Sequence, residues 1–177
     1  MNVKKIALLL LVTLIVIGAL AGCTLGKDDQ EVGGDIDLPK LVDELVADVD
    51  VPAFETITLG EDNFKYFAFT DYKEGYDAVV ADALVNIEPH SLVVIHTENG
   101  DGDDLAIAVF DKADPNKWLC VGSEVVTVAN TDHYVVLIMS SRDIANDITS
   151  NFNNMSETLD NVKDITVHTK DNTIRYN

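Results

Sequence analysis

Basic residues are scarce in this chain. Twelve lysines and arginines stand against 31 aspartates and glutamates, a formal net charge of −19. Nucleic acid is thereby excluded as a partner, because its phosphates require a basic footprint. The same balance argues against lying flat on anionic lipid. Cysteine is nearly absent, two in 177 residues, so no disulfide framework can stand in for a hydrophobic core. Metal and nucleophile signatures are missing too: there is no HExxH, CxxC, GxSxG or Ser-x-x-Lys. Gly100 and Gly102 sit among acidic residues that repel phosphate. The four histidines, His90, His96, His133 and His168, have no mutual metal-ligand spacing and read as surface or internally satisfied side chains. No catalytic residue and no cofactor-binding residue is assigned.

What is present begins at the N-terminus. Lys4 and Lys5 precede an aliphatic run, Ile6 to Leu20, broken only by Thr13 and Gly18. The run closes on Leu20-Ala21-Gly22-Cys23, which resembles the lipobox of bacterial lipoproteins. The resemblance implies cleavage between Gly22 and Cys23 and a diacylglyceryl thioether on Cys23. It implies a protein held by lipid on the extracytoplasmic face of the cell membrane, since the lysines stay inside. An uncleaved membrane anchor and a conventional secretory signal are the alternatives. Ile6 to Gly22 is at the short limit for a hydrocarbon core of about 30 Å. Cleavage would leave 155 residues with a net charge of −21, and Cys120 as the remaining thiol.

Residues 23–37 carry Lys27-Asp28-Asp29-Gln30-Glu31 and Gly33-Gly34 without an aromatic, the composition of a flexible acidic tether. Residues 38–177 read as one α+β domain. A first helix starts after Asp37, with Pro39 in its first turn, and runs on Leu38, Leu41, Val42, Leu45, Val46 and Val49 until Pro52. Strand periodicity then covers Thr56–Leu59 and Phe64–Thr70; Ala78–Ile87 alternates as a strand does, while its alanines would also permit a helix. Ser91–Thr97 and Leu105–Phe110 read as a hairpin across the acidic turn 98–104. Trp118–Ala129 and His133–Met139 read as strands. A second helix begins at Ser140 or Ser141, with Ile144, Ile148, Phe152, Met155 and Leu159 on one stripe. A closing hairpin is expected from Ile165–Thr169 and Thr173–Tyr176. The expected architecture is an antiparallel sheet of five to eight strands with two amphipathic helices on one face.

The acidic turn is the one candidate for a metal. Asn99, Asp101 and Asp103 match the first ligand positions of an EF-hand loop, but Asp104 and Phe110 stand where glycine and glutamate are needed. Weak capture of Ca²⁺ by Asp101, Asp103 and Asp104 is the functional reading, and a solvated hairpin turn the plain one. Cys120, inside an apolar run, reads as a buried small hydrophobe. The aromatics Phe64, Tyr66, Phe67, Phe69, Tyr72 and Tyr76 read as core. If exposed, Tyr72 and Tyr76 would line a sugar- or peptide-binding surface.

Two further stretches, Asp35-Ile36-Asp37-Leu38-Pro39-Lys40-Leu41 and His133-Tyr134-Val135-Val136-Leu137-Ile138-Met139-Ser140, resemble small Gram-positive lipoproteins of the family domain of unknown function 4358. The resemblance implies a helix between the two middle strands, where the residues themselves read as a hairpin. It implies no activity and no cofactor. The expected function is a non-catalytic, lipid-anchored module binding a protein or ligand of the cell envelope. One alternative is an envelope hydrolase with carboxylates drawn from Asp71, Glu74, Asp77 and Glu88. The other is an acidic, Ca²⁺-capturing surface protein.

Overall fold

Six strands and four helices follow one another as α1 (Leu38–Leu45), β1 (Phe54–Leu59), α2 (Glu61–Ala68), β2 (Tyr76–Ala83), β3 (Ser91–Thr97), α3 (Gly102–Lys112), β4 (Val125–Asn130), β5 (Tyr134–Ser140), α4 (Arg142–Asp160) and β6 (Thr166–Asp171). This computed structural model describes residues 37–173 apart from Asn86 and Leu119. The strands form one sheet in the order β1-β2-β3-β5-β4-β6, every neighbouring pair antiparallel. The α+β class and the antiparallel sheet agree with the sequence pattern.

The inner strands are apolar along both faces because both faces are covered. Val79, Ala81, Leu92, Val94, Val136 and Ile138 pack against Leu38, Leu41, Val42 and Leu45 of α1 and Ala145, Ile148 and Phe152 of α4. These are the two amphipathic helices expected on one face. Ala78, Val80, Val93, Ile95, Val128, Val135, Leu137 and Met139 face the other way, against Phe64 and Ala68 of α2 and Leu105, Ala106 and Val109 of α3. Near-continuous burial on both sides explains why these strands read as apolar runs rather than alternating ones.

The second helical layer replaces two expected strands. Phe64–Thr70 is not a strand but largely helix α2. Gly60 N–H donates to Asn63 Oδ1 at 2.7 Å, Glu61 and Asp62 occupy the first turn, and Phe64 and Ala68 are buried one turn apart. Acidic residues at a helix N-terminus offset its dipole. Leu105–Phe110 likewise lies within helix α3, so the hairpin through 98–104 is absent. Asp103 and Asp104 lie in its first turn and Lys112 in its last, with Leu105, Ala106 and Val109 buried. A helix thus stands between the middle strands, where the family resemblance implied one. The charges read as a turn are helix-start residues, and the short apolar run fits either period.

Smaller corrections follow. Helix α1 stops at Leu45, with Asp48 at φ 60°, before Pro52 is reached. The described residues of 113–124 are irregular, and of the expected Trp118–Ala129 strand only Val125 to Ala129 pair, within β4. β6 pairs with β4; of the second strand of the expected closing hairpin, Thr173–Tyr176, residues 174–176 lie outside the described residues. Among the described residues no helix is long and apolar enough to cross a membrane.

Candidate functional site

Strand order gathers the chemistry-bearing loops at the two ends of the sheet. At one end, the C-terminus of β3 meets the N-termini of β2 and β5, since Tyr76 pairs with Thr97 and His96 with Tyr134. Asp101 sits there as a hub. Tyr76 O–H donates to its Oδ2 at 2.7 Å, Thr97 O–H to its Oδ1 at 2.5 Å, and Lys73 Nζ to Oδ2 at 3.2 Å. Burial alone would raise this carboxyl's pKa. The bonds from Thr97, Tyr76 and Lys73 outweigh it and hold the group below its usual range.

The three aspartates expected to capture Ca²⁺ do not converge. Asp101 is engaged as described, Asp103 Oδ1 accepts from Asn130 Nδ2 at 2.7 Å, and Asp104 lies exposed on α3. Among the described residues no three His, Cys, Asp or Glu side chains are grouped to hold a metal ion. Gly102 makes the helix entrance possible. An added Cβ there would lie 2.1 Å from the Thr131 carbonyl oxygen and 2.6 Å from that of Asp132.

A second hub lies beside the first. The Asp160 side chain is nearly buried and meets His133 Nδ1 at 2.7 Å, while the His133 backbone N–H donates to its other oxygen at 2.9 Å. Burial opposes ionisation of Asp160, and the bonds from Thr131 and His133 more than offset it, lowering its pKa. An ionised carboxylate only accepts, so Nδ1 carries the proton. This Asp–His pair resembles the orienting half of a catalytic triad, but among the described residues no serine, threonine or cysteine bonds to His133. His96 packs tilted on Tyr134 at 5.1 Å, its pKa lowered by burial.

At the opposite end an open cleft of about 320 Å³ is lined by Asp50, Pro52, Ile87, Glu88, Pro89, Gly122, Glu124, Ser140, Ser141 and Ile144. Its carboxylates face no basic lining residue. The segment 113–124 supplies one wall. Lys117, its side chain 7% exposed, anchors that segment by donating to Asp82 at 2.9 Å and to Ser91 Oγ at 2.8 Å. The ammonium also lies 4.8 Å from the Trp118 ring centre. Burial lowers the Lys117 pKa, and Asp82 works against that shift. Gly122 is crowded: a Cβ would lie 2.5 Å from Asn116 Oδ1 and 2.7 Å from Asn172 Nδ2, both side-chain tips.

Behind the cleft, fully buried His90 contacts Ser140 Oγ through Nδ1 at 3.2 Å. Its Nε2 has no hydrogen-bond partner among the described residues. Burial pushes the ring's pKa down to about 4, against Asp82, which raises it, and with Lys117, which lowers it. The ring is therefore neutral at ordinary pH.

The remaining expected residues are dispersed. Asp71 pairs with Lys65 at 2.7 Å on the surface, and Glu74 and Asp77 are exposed near the Tyr76 end. Only Glu88 of the proposed hydrolase carboxylates lines the cleft; Asp50 and Glu124 join it unforeseen. Cys120 is exposed, not buried, because its segment is irregular rather than a strand. Phe64 and Tyr76 are core, as read, whereas Tyr66 is 67% exposed. Buried Tyr76 cannot share a binding surface with Tyr72. Gly22 and Cys23 lie outside the described residues. Sequence signals for the cleft were present in Pro52, Pro89 and Gly122, each marking a loop. Strand order alone brings those loops together. No protein-family model, curated protein or solved structure matches this chain.

Proposed function

We propose that this protein is a lipid-anchored, extracytoplasmic binding module of the cell envelope. The anchor rests on Leu20-Ala21-Gly22-Cys23 and the aliphatic run before it. One observation carries the binding half: an open cleft at one end of the sheet, with four apolar and three acidic lining residues. Concave sites with a mainly apolar wall and a few polar groups are the usual form of ligand sites. The family resemblance supports the same address and adds no activity.

The test is the intact mass and membrane partitioning of the protein from its host, beside Cys23→Ala. The expected result is a chain beginning at Cys23, carrying acyl mass and sedimenting with membranes, with the variant unacylated. An unmodified wild-type chain released to the medium would overturn the anchor. A second reading keeps Glu88 in view. It shares the cleft with Asp50 and Glu124, and hydrolysis by paired carboxylates requires a separation of roughly 5–10 Å. Turnover of an envelope glycan that is lost in Glu88→Gln would favour this reading over simple binding.

A further inference from the structure

The cleft lies at the N-terminus of α4, where a helix ordinarily offers bare N–H groups to an anion. Here two of those N–H groups are already taken, and an acidic residue, Asp143, stands in the first turn. Arg142 N–H already donates to Glu124 Oε2 at 3.0 Å, and Ile144 N–H to Ser141 Oγ at 3.4 Å. The Ser140 hydroxyl is engaged by His90. Asp50 and Glu88, by contrast, make no hydrogen bond or ion pair with any described residue. The polar capacity left in the cleft is thus carboxylate, with no lysine, arginine or histidine in the lining to neutralise it. The other wall is aliphatic: Pro52, Pro89, Ile144 and Ile87, the last 78% exposed. Leu84 and Val85, in the same loop as Ile87, are exposed as well.

We infer that the cleft takes one cationic side chain, lysine or arginine, from an extended segment of a partner protein. The inference rests on the binding-module reading and names its ligand. Charge complementarity argues for the cation. A volume of about 320 Å³ lies at the small end of ligand sites, which span roughly 300–1,000 Å³, and suits a side chain rather than a folded element. A long basic side chain supplies an aliphatic stem for Ile87, Ile144 and the prolines, and a charged head for Asp50 and Glu88. The exposed Leu84, Val85 and Ile87 offer an apolar rest for residues beside the cation.

The experiment titrates the full protein, as its host processes it and held in a nonionic detergent, with a capped pentapeptide bearing one central lysine between leucines. Counterparts carry norleucine or glutamate in place of lysine. The expected order is lysine, then norleucine about tenfold weaker, then glutamate without measurable binding. The double variant Asp50→Asn/Glu88→Gln is expected to weaken the lysine peptide about tenfold, as two partly exposed ion pairs allow. The charge-matched variant Asp43→Asn/Asp62→Asn, on α1 and α2, is expected to leave binding within about twofold, because screening confines such effects to roughly 10 Å. Norleucine binding as well as lysine, equal losses in the two double variants, or no binding of the lysine peptide at millimolar concentration would each overturn the inference. An envelope partner crosslinking equally to wild type and the cleft double variant would also overturn it. That outcome leaves the binding-module reading standing.

Discussion

The two ends of the sheet are built from the same residue types to different effect. At the Thr97 end, Asp101 collects donors from Lys73, from β2 and from β3, Asp160 collects them from the loop 131–133, and a glycine lets α3 start against the Thr131–Asp132 backbone. Their carboxylates are spent internally. At the Ser140 end, Asp50 and Glu88 are left to solvent, and His90 is buried with one nitrogen unpaired. An unpaired buried polar atom is costly, whereas a saturated carboxylate has little capacity left for a ligand. The first end is therefore read as structural and the second as available for recognition.

The largest expected effects come from breaking the saturated end. Asp101→Ala leaves the Tyr76 and Thr97 hydroxyls without their acceptor and is expected to cost about 3 kcal/mol. Gly102→Ala should cost about as much, since the atoms it strikes are backbone carbonyl oxygens that cannot rotate away. Gly122→Ala, at the cleft end, meets the tips of two asparagine side chains and, less closely, the Pro115 carbonyl oxygen at 3.2 Å. Its cost should be about 1 kcal/mol, because side-chain tips can give way. Urea unfolding of the three variants tests the contrast. A Gly122→Ala loss equal to that of Gly102→Ala would show the 113–124 wall to be as rigid as the helix entrance.

The next effect belongs to pH. His90 in the folded protein has its pKa depressed from 6.5 to about 4. Between those values the unfolded chain binds the proton and the folded one does not. Stability is complete above pH 6.5, falls as pH drops, and is lower by about 3 kcal/mol below pH 4. Asp101 and Asp160, with depressed values of their own, act later, as pH falls below the ordinary carboxylate range near 3.8. His90→Gln should therefore flatten the loss between pH 6.5 and 4 and spare the steeper limb beneath it. A wild-type profile flat across that interval would mean that water or a structural change relieves the buried ring.

How much of this was legible in the sequence depended on burial. Helices α1 and α4 carry one-sided stripes and are legible as helices, because each keeps an exposed face, although α1 ends at Leu45, short of Val49 and Pro52. Phe64–Thr70 and Leu105–Phe110 are too short for their period to decide between helix and strand. Their caps held the missing information. Gly60 with Asn63, and the acidic pair Asp103-Asp104 before Leu105, mark helix starts that also suit turns. Glu88 was singled out in the sequence, but nothing local joins it to Asp50 and Glu124, which lie 38 and 36 residues away. The order β1-β2-β3-β5-β4 brings those three segments to one end of the sheet. Cys120 was misplaced for the opposite reason, since apolar neighbours suggested a strand that never pairs.

The smallest expected effect is also the sharpest for the comparison. Asp50→Asn/Glu88→Gln removes two exposed carboxylates from a chain of net charge −19. If the cleft acids serve recognition, they contribute nothing to folding, and relief of self-repulsion should stabilise the variant by about 0.5 kcal/mol or less. The same sign is expected at low salt and a vanishing effect at high salt, where exposed charges are screened. A loss of 1 kcal/mol or more in both buffers would mean that these carboxylates hold the loops together. The cleft end would then be a second structural hub, differing from the Thr97 end only in degree.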